Sequence, residues 1–98
     1  MSRADEIRTR LQTALAPERL EIEDESLLHV GHAGTRAGGE SHFRALVVSA
    51  RFDGVARVAR QRMVYAALGD LMQGPDAIHA LALRTLTPDE WGREGGAA

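Results

Sequence analysis

The sequence contains no cysteine and therefore no thiolate ligand, so its four histidines are the candidate ligands considered for a metal site. Neutral imidazole is the commonest metal ligand in proteins. His29 and His32 stand at the start of a glycine-rich segment, and His79 begins an alternating apolar run. Loop histidines are more often solvated than metal-bound, and a lone strand histidine is more often a packed or edge residue, so this spacing alone is a weak signal. His42, at the start of another predicted strand, is interpreted as structural, with its ring hydrogen-bonded to the backbone.

A second group that could bind a ligand consists of arginines. Residues 44–62 contain five arginines and one acid, although the whole chain carries a formal charge of −2. Four of these arginines lie near the start of a predicted helix, where phosphate groups are readily bound: Arg51, Arg57, Arg60 and Arg62. A solvated helix face is the simpler interpretation, and the net charge argues against a generally basic nucleic-acid-binding protein. Nucleic-acid binding is therefore the alternative hypothesis.

Other classes of function find less support in the sequence. No serine stands beside a candidate base in a recognisable catalytic motif, and cysteine and lysine are absent, so we expect neither enzymatic activity nor a small-molecule substrate. The acids between residues 21 and 25 alternate along a predicted strand and are interpreted as a solvated face. No apolar run is long enough for a transmembrane helix, and the N-terminus lacks the apolar core of a signal peptide. We therefore expect a cytoplasmic protein that does not enter a membrane.

The length of 98 residues predicts one domain, covering residues 1–98, with a flexible tail at 92–98. Apolar periodicity and turn residues predict the elements that position the candidate residues. In chain order they are a helix after Ser2, strands at 20–23 and 42–49, a helix at 58–72, a strand at 78–84 and a short helix capped by Thr87. This α-β-β-α-β-α order favours an α/β fold with a three-stranded mixed sheet and helices packed on one face.

The same pattern predicts which residues face the helices. In the second strand Phe43 and its alternate neighbours form one apolar face, and the strand is expected to be covered on both faces near its end. In the third strand the small side chains of Ala80 and Ala82 are expected to let a helix approach closely. In the long helix the arginines at 57, 60 and 62 are expected to lie largely off the apolar stripe.

Several motifs of this chain, in this order, resemble those of the BolA family. They are Asp24-Glu25-Ser26, Glu40-Ser41-His42-Phe43, Phe52-Asp53-Gly54, Arg60-Gln61-Arg62-Met63-Val64-Tyr65, Ile78-His79-Ala80-Leu81 and Thr87-Pro88-Asp89-Glu90-Trp91. The resemblance extends from about residue 20 to residue 91. One position departs from the family, because Gln61 stands where a histidine is usual between the two arginines.

The resemblance implies a class II KH-like fold and a heterodimer with a monothiol glutaredoxin, in which the two proteins share a [2Fe–2S] cluster. The glutaredoxin would bring its cysteine and a glutathione thiolate, and we expect no cofactor in the isolated chain. On this side the implied ligands are His79 and one histidine of the loop between the first two strands, either His29 or His32. The implied role is iron–sulfur trafficking or iron and redox regulation. The family is also described as including DNA-binding transcriptional regulators, which would use the arginines listed above.

Overall fold

The computed structural model describes residues 2–25, 42–74 and 77–95. Its elements are α1 (Arg3–Leu15), β1 (Arg19–Asp24), β2 (His42–Val48), α2 (Arg57–Leu68), β3 (Ala80–Leu86) and α3 (Pro88–Arg93), with 3-10 turns at Ala50–Phe52 and Gly69–Met72. The predicted order of helices and strands is confirmed, and the arrangement is compatible with the class II KH-like description. Within the described ranges, no helix has the length and apolar character needed to cross a membrane.

The sheet is mixed, as predicted, with β2 between its two neighbours. β1 pairs with β2 in antiparallel orientation, and β3 pairs with β2 in parallel. The parallel register begins at His42 opposite Ala80 and ends at Val48 opposite Leu86. The third strand begins and ends two residues later than predicted. Its ends are set by the residues that pair with β2. Ile78 precedes the strand, is 4% exposed, and donates its backbone N–H to the Leu71 carbonyl at 3.0 Å.

The main core lies between the sheet and the two longer helices, α1 and α2. Its buried members are Ile7, Leu11, Leu15, Phe43, Val47, Phe52, Val64, Leu68, Leu71 and Ile78. Leu81 and Leu83 pack against this cluster, whereas Ala80 and Ala82 are exposed. The expectation that a helix packs on the two alanines was wrong, because turning the leucines inward buries much more apolar surface.

The end of the sheet nearest α3 is covered on both faces, as predicted for β2. Val48 and Leu86 are buried, although neither belongs to the main core. The Arg19 guanidinium lies 5.0 Å from the centre of the Trp91 ring, and Arg84 forms a 2.5 Å ion pair with Glu94. The last helix therefore contacts side chains of the face opposite to α1 and α2. It also continues to Arg93, one residue beyond the predicted start of the tail at residue 92.

The helix ends follow local capping rules. The Ser2 side chain accepts from the Asp5 backbone N–H, and Thr87 caps α3 in the same way through a capping box. The second helix ends at Leu68, four residues earlier than predicted, because Gly69 adopts a φ of 49°. The Arg10 guanidinium donates to the carbonyl of Leu68 at 3.0 Å, which stabilises this helix end and ties α1 to α2.

Candidate functional site

His79 lies at the surface, immediately before β3, on a segment whose conformation is set by its neighbours. Ile78 is anchored in the core, and Ala80 is already paired with β2. His79 lies at a bend between these two residues and is exposed. Its imidazole is therefore accessible to a metal ion or to a partner protein.

A second imidazole lies beside His79. His42 begins β2, opposite Ala80 in the parallel register, and its ring is stacked on that of His79. The ring centroids are 6.0 Å apart, and the ring planes differ by 18°. Both rings lie at the same end of the sheet, where β2 and β3 begin.

The sequence interpretation gave His42 a structural role and did not anticipate that its ring lies beside that of His79. Parallel pairing was the available signal, because a strand, a crossover helix and a further strand usually form a parallel pair. The starts of β2 and β3 then meet, and both starts carry a histidine.

The other predicted metal ligand, either His29 or His32, lies outside the described residues and stays a prediction. Across residues 2–25, 42–74 and 77–95 there is no group of three or more histidine, cysteine, aspartate or glutamate side chains arranged to hold a metal ion.

The four arginines proposed for nucleic-acid binding have different surroundings. Arg57 and Arg62 are exposed on α2 and form no ion pair with any part of the chain that the structure describes. Arg51 is exposed, and its guanidinium donates to the Ala14 carbonyl at 3.0 Å. Arg60, by contrast, is only 6% exposed. The expectation that Arg60 lies off the packed side of the helix was therefore wrong.

Arg60 is held inside the protein by an acid and two backbone carbonyls. Its guanidinium donates to the Val55 and Thr85 carbonyls at 2.7 and 3.1 Å, and to both carboxylate oxygens of Glu90 at 2.6 and 3.3 Å. These hydrogen bonds lower the pKa of Glu90 to about 2, and the Thr87 N–H, which also donates to Glu90, contributes to the shift. The Arg60–Glu90 pair therefore joins α2, β3 and α3, and its guanidinium is not part of the arginine surface.

The uncovered face of the sheet carries mixed charges. A shallow depression of about 250 Å³ is lined by Glu21, Glu23, Arg44, Ala45, Leu46 and Arg84. Both arginines at this depression are already paired, Arg44 with Glu25 at 3.0 Å and Arg84 with Glu94. Glu21 and Glu23 are exposed, as expected for a solvated strand face. The lining contains two acids and two arginines, so its own side chains carry no net charge that would select a ligand.

Comparison with known proteins identifies what this arrangement resembles. A family model described as BolA-like protein matches residues 11–90. The chain is 48% identical over 85 residues to BolA-like protein 1 of Homo sapiens, covering 87% of this chain and 58% of that protein. It is 40% identical over 87 residues to the DNA-binding transcriptional regulator BolA of Escherichia coli, covering 89% and 77% of the two chains. The chain thus spans little more than half the length of the first of these relatives.

Solved structures resemble the fold over the same extent. The BolA domain of SufE1 from Arabidopsis thaliana has a TM-score of 0.79 at 39% identity, covering 92% of this chain and 96% of that one. The solution structure of BolA1 from Mus musculus has a TM-score of 0.75 at 39% identity, covering 95% and 71%.

Proposed function

Because this chain belongs to the BolA-like family, we propose that it is an adaptor that binds a monothiol glutaredoxin and shares a [2Fe–2S] cluster with it. Its role would be iron–sulfur trafficking or iron and redox regulation. The observation that supports this proposal most directly is the exposed His79 ring stacked on His42 at the ends of two neighbouring strands. The partner would supply the thiolates that this chain lacks, one of them from glutathione.

Each histidine has a separate task in this proposal. His79, exposed between the buried Ile78 and the start of β3, binds the cluster on the side of this chain. His42, beside it, is a further candidate for the second nitrogen donor, together with the predicted loop donors His29 and His32. Replacing thiolates by neutral imidazoles removes negative charge and raises the reduction potential of a [2Fe–2S] centre, as in Rieske proteins. The cluster so held would supply one-electron chemistry or be passed on to an acceptor.

The test is coexpression with a monothiol glutaredoxin, anaerobic purification, and measurement of visible absorption, visible circular dichroism and iron content. We expect a coloured heterodimer from the unmodified chain and an altered or lost cluster spectrum with His79→Ala. His42→Ala, His29→Ala and His32→Ala then identify the second ligand, and Gln12→Ala, on the exposed side of α1, is the matched surface control. An uncoloured sample with the unmodified chain would overturn the shared cluster, and an unchanged spectrum with His79→Ala would overturn its ligand role.

DNA binding is the second candidate function, supported by the name of the Escherichia coli relative and by the exposed Arg57 and Arg62. Arg51 lies close in sequence to the start of α2, whereas Arg60 is occupied by Glu90. We expect Arg57→Ala with Arg62→Ala to weaken duplex binding at all sequences, and to reduce the slope of log affinity against log salt by about 1 for each lost phosphate contact. Binding no tighter than about millimolar at physiological salt would rule out this function.

A further inference from the structure

The outward side of α2 carries the two exposed large hydrophobic side chains of the described residues. Val58 is 63% exposed and Tyr65 is 39% exposed. Gln61 and Arg62, both exposed, lie between them in the sequence, so the four residues stand at positions i, i+3, i+4 and i+7 and form one face of the helix. This set, Val58, Gln61, Arg62 and Tyr65, is called the outer face of α2 below. Apolar side chains at this spacing are the usual anchors of helix-to-helix recognition.

The charged side chains of α2 itself all have the same sign. The segment Arg57–Leu68 contains three arginines and no acid. Arg60 is neutralised inside the protein by Glu90, which leaves Arg57 at one margin of the face and Arg62 within it. Neither of these two forms an ion pair with another described residue. A partner that covers Val58 and Tyr65 therefore brings its own side chains beside two guanidinium groups, which favour carboxylates.

We infer that the outer face of α2 is a docking surface for an acidic amphipathic helix of a partner protein. The apolar ridge of that helix would pack on Val58 and Tyr65, and its flanking glutamates or aspartates would pair with Arg57 and Arg62. This inference goes beyond the shared-cluster function and uses none of the histidines. A second copy of the chain fits poorly, because a symmetric α2–α2 contact would oppose arginines to arginines.

Nucleic acid is also a poorer match to this face than an acidic helix. A phosphate backbone is bound by several cationic side chains, and the inward turn of Arg60 leaves only two on α2. The exposed Val58 gains from packing against apolar groups and offers nothing to a phosphate. Arg62→Glu can distinguish the two kinds of partner, because both an acidic peptide and a DNA duplex can be titrated into the unmodified protein and into this variant.

The probe is a fluorescein-labelled synthetic helix of about five turns, with leucines along one ridge and glutamates beside them, and its binding is measured by fluorescence anisotropy. A matched peptide carries lysine in place of every glutamate. We expect the acidic peptide to bind the unmodified protein at least about tenfold more tightly than the basic one. Arg62→Glu should weaken the acidic peptide by about tenfold and reverse this preference, and Val58→Ser should weaken both peptides.

Arg93→Glu makes the same change of charge on the exposed side of α3 and should leave the affinity within about twofold. Far-UV circular dichroism verifies that each variant is folded, and Arg62→Ala replaces Arg62→Glu if that variant is not. The inference is overturned if the acidic peptide shows no saturable binding below about 1 mM, if the two peptides bind alike, or if Arg93→Glu weakens binding as much as Arg62→Glu. Arg62-dependent binding of a DNA duplex without binding of the acidic peptide would also overturn it, and would assign the face to nucleic acid.

Discussion

Truncating Arg60 should destabilise the protein far more than truncating Arg62, although the two arginines are only two residues apart. Arg60→Ala removes the guanidinium that joins α2 to β3 and α3, and it leaves the Val55 and Thr85 carbonyls and the Glu90 carboxylate without that donor. Breaking a buried ion pair by removing one partner costs about 3–5 kcal/mol. The Glu90 side chain retains 27% exposure, so water can replace part of the loss. We therefore expect Arg60→Ala to lower the free energy of unfolding by about 2–4 kcal/mol.

The assay is urea unfolding at neutral pH, followed by far-UV circular dichroism, together with a thermal scan. For a domain of this size each kcal/mol corresponds to about 4–8 °C in Tm, so Arg60→Ala should lower Tm by about 8–30 °C. Arg62→Ala is the matched control and should change the free energy of unfolding by no more than about 0.5 kcal/mol. Arg60→Lys, which keeps the charge but loses the fork of donors, should fall between the two. Equal stability of the Arg60→Ala and Arg62→Ala variants would refute the structural role assigned to this guanidinium.

Three further predictions concern the ionisation of Glu90, the cap of α3 and the two faces of the sheet. Because Arg60 lowers the pKa of Glu90 from 4.5 to about 2, the stability from this ionised carboxylate is complete above about pH 4.5 and is lost as the pH falls through 2. The free energy of unfolding of Glu90→Gln should therefore fall less steeply between about pH 4.5 and 2 than that of the unmodified protein. Parallel curves of this free energy against pH for the two proteins would contradict the prediction. Thr87→Ala removes the cap of α3 and should cost about 1 kcal/mol in urea unfolding, while an unchanged midpoint would argue against the cap. Phe43→Ala should cost about 3–5 kcal/mol, whereas Ala82→Ser, on the exposed side of β3, should cost under about 0.5 kcal/mol; similar losses would contradict the assignment of the two sheet faces.

Arg60 and Arg62 belong to the same sequence motif, yet the motif did not reveal that one is buried and the other exposed. Residues two apart on a helix are related by a rotation of about 200° about the helix axis, so Arg60 and Arg62 lie on nearly opposite sides of α2. Periodicity alone indicated that both lie off the apolar stripe. Burial of Arg60 is favourable because its guanidinium pairs with Glu90, thirty residues later in the chain. A pattern read over a few neighbouring residues cannot detect a pair so far apart in sequence.

The histidines illustrate the same limit at the candidate site. Local pattern and family resemblance together indicated His79, and His79 is exposed in the structure. The contact between His79 and His42 depends on the parallel register of β2 with β3, which is a property of the folded sheet. The sequence interpretation therefore considered His42 alone and gave it a purely structural role.

By itself the sequence determined the order of the elements, the mixed sheet and the capping of the first and last helices, because periodicity and caps act over a few neighbouring residues. Only the tertiary structure decided that Leu81 and Leu83 face the helices, that Arg60 is buried while Arg62 is exposed, and that two histidines meet. Each of these outcomes depends on atoms brought together from distant parts of the chain. Packing and charge pairing between such atoms are worth more free energy than the local preferences they override.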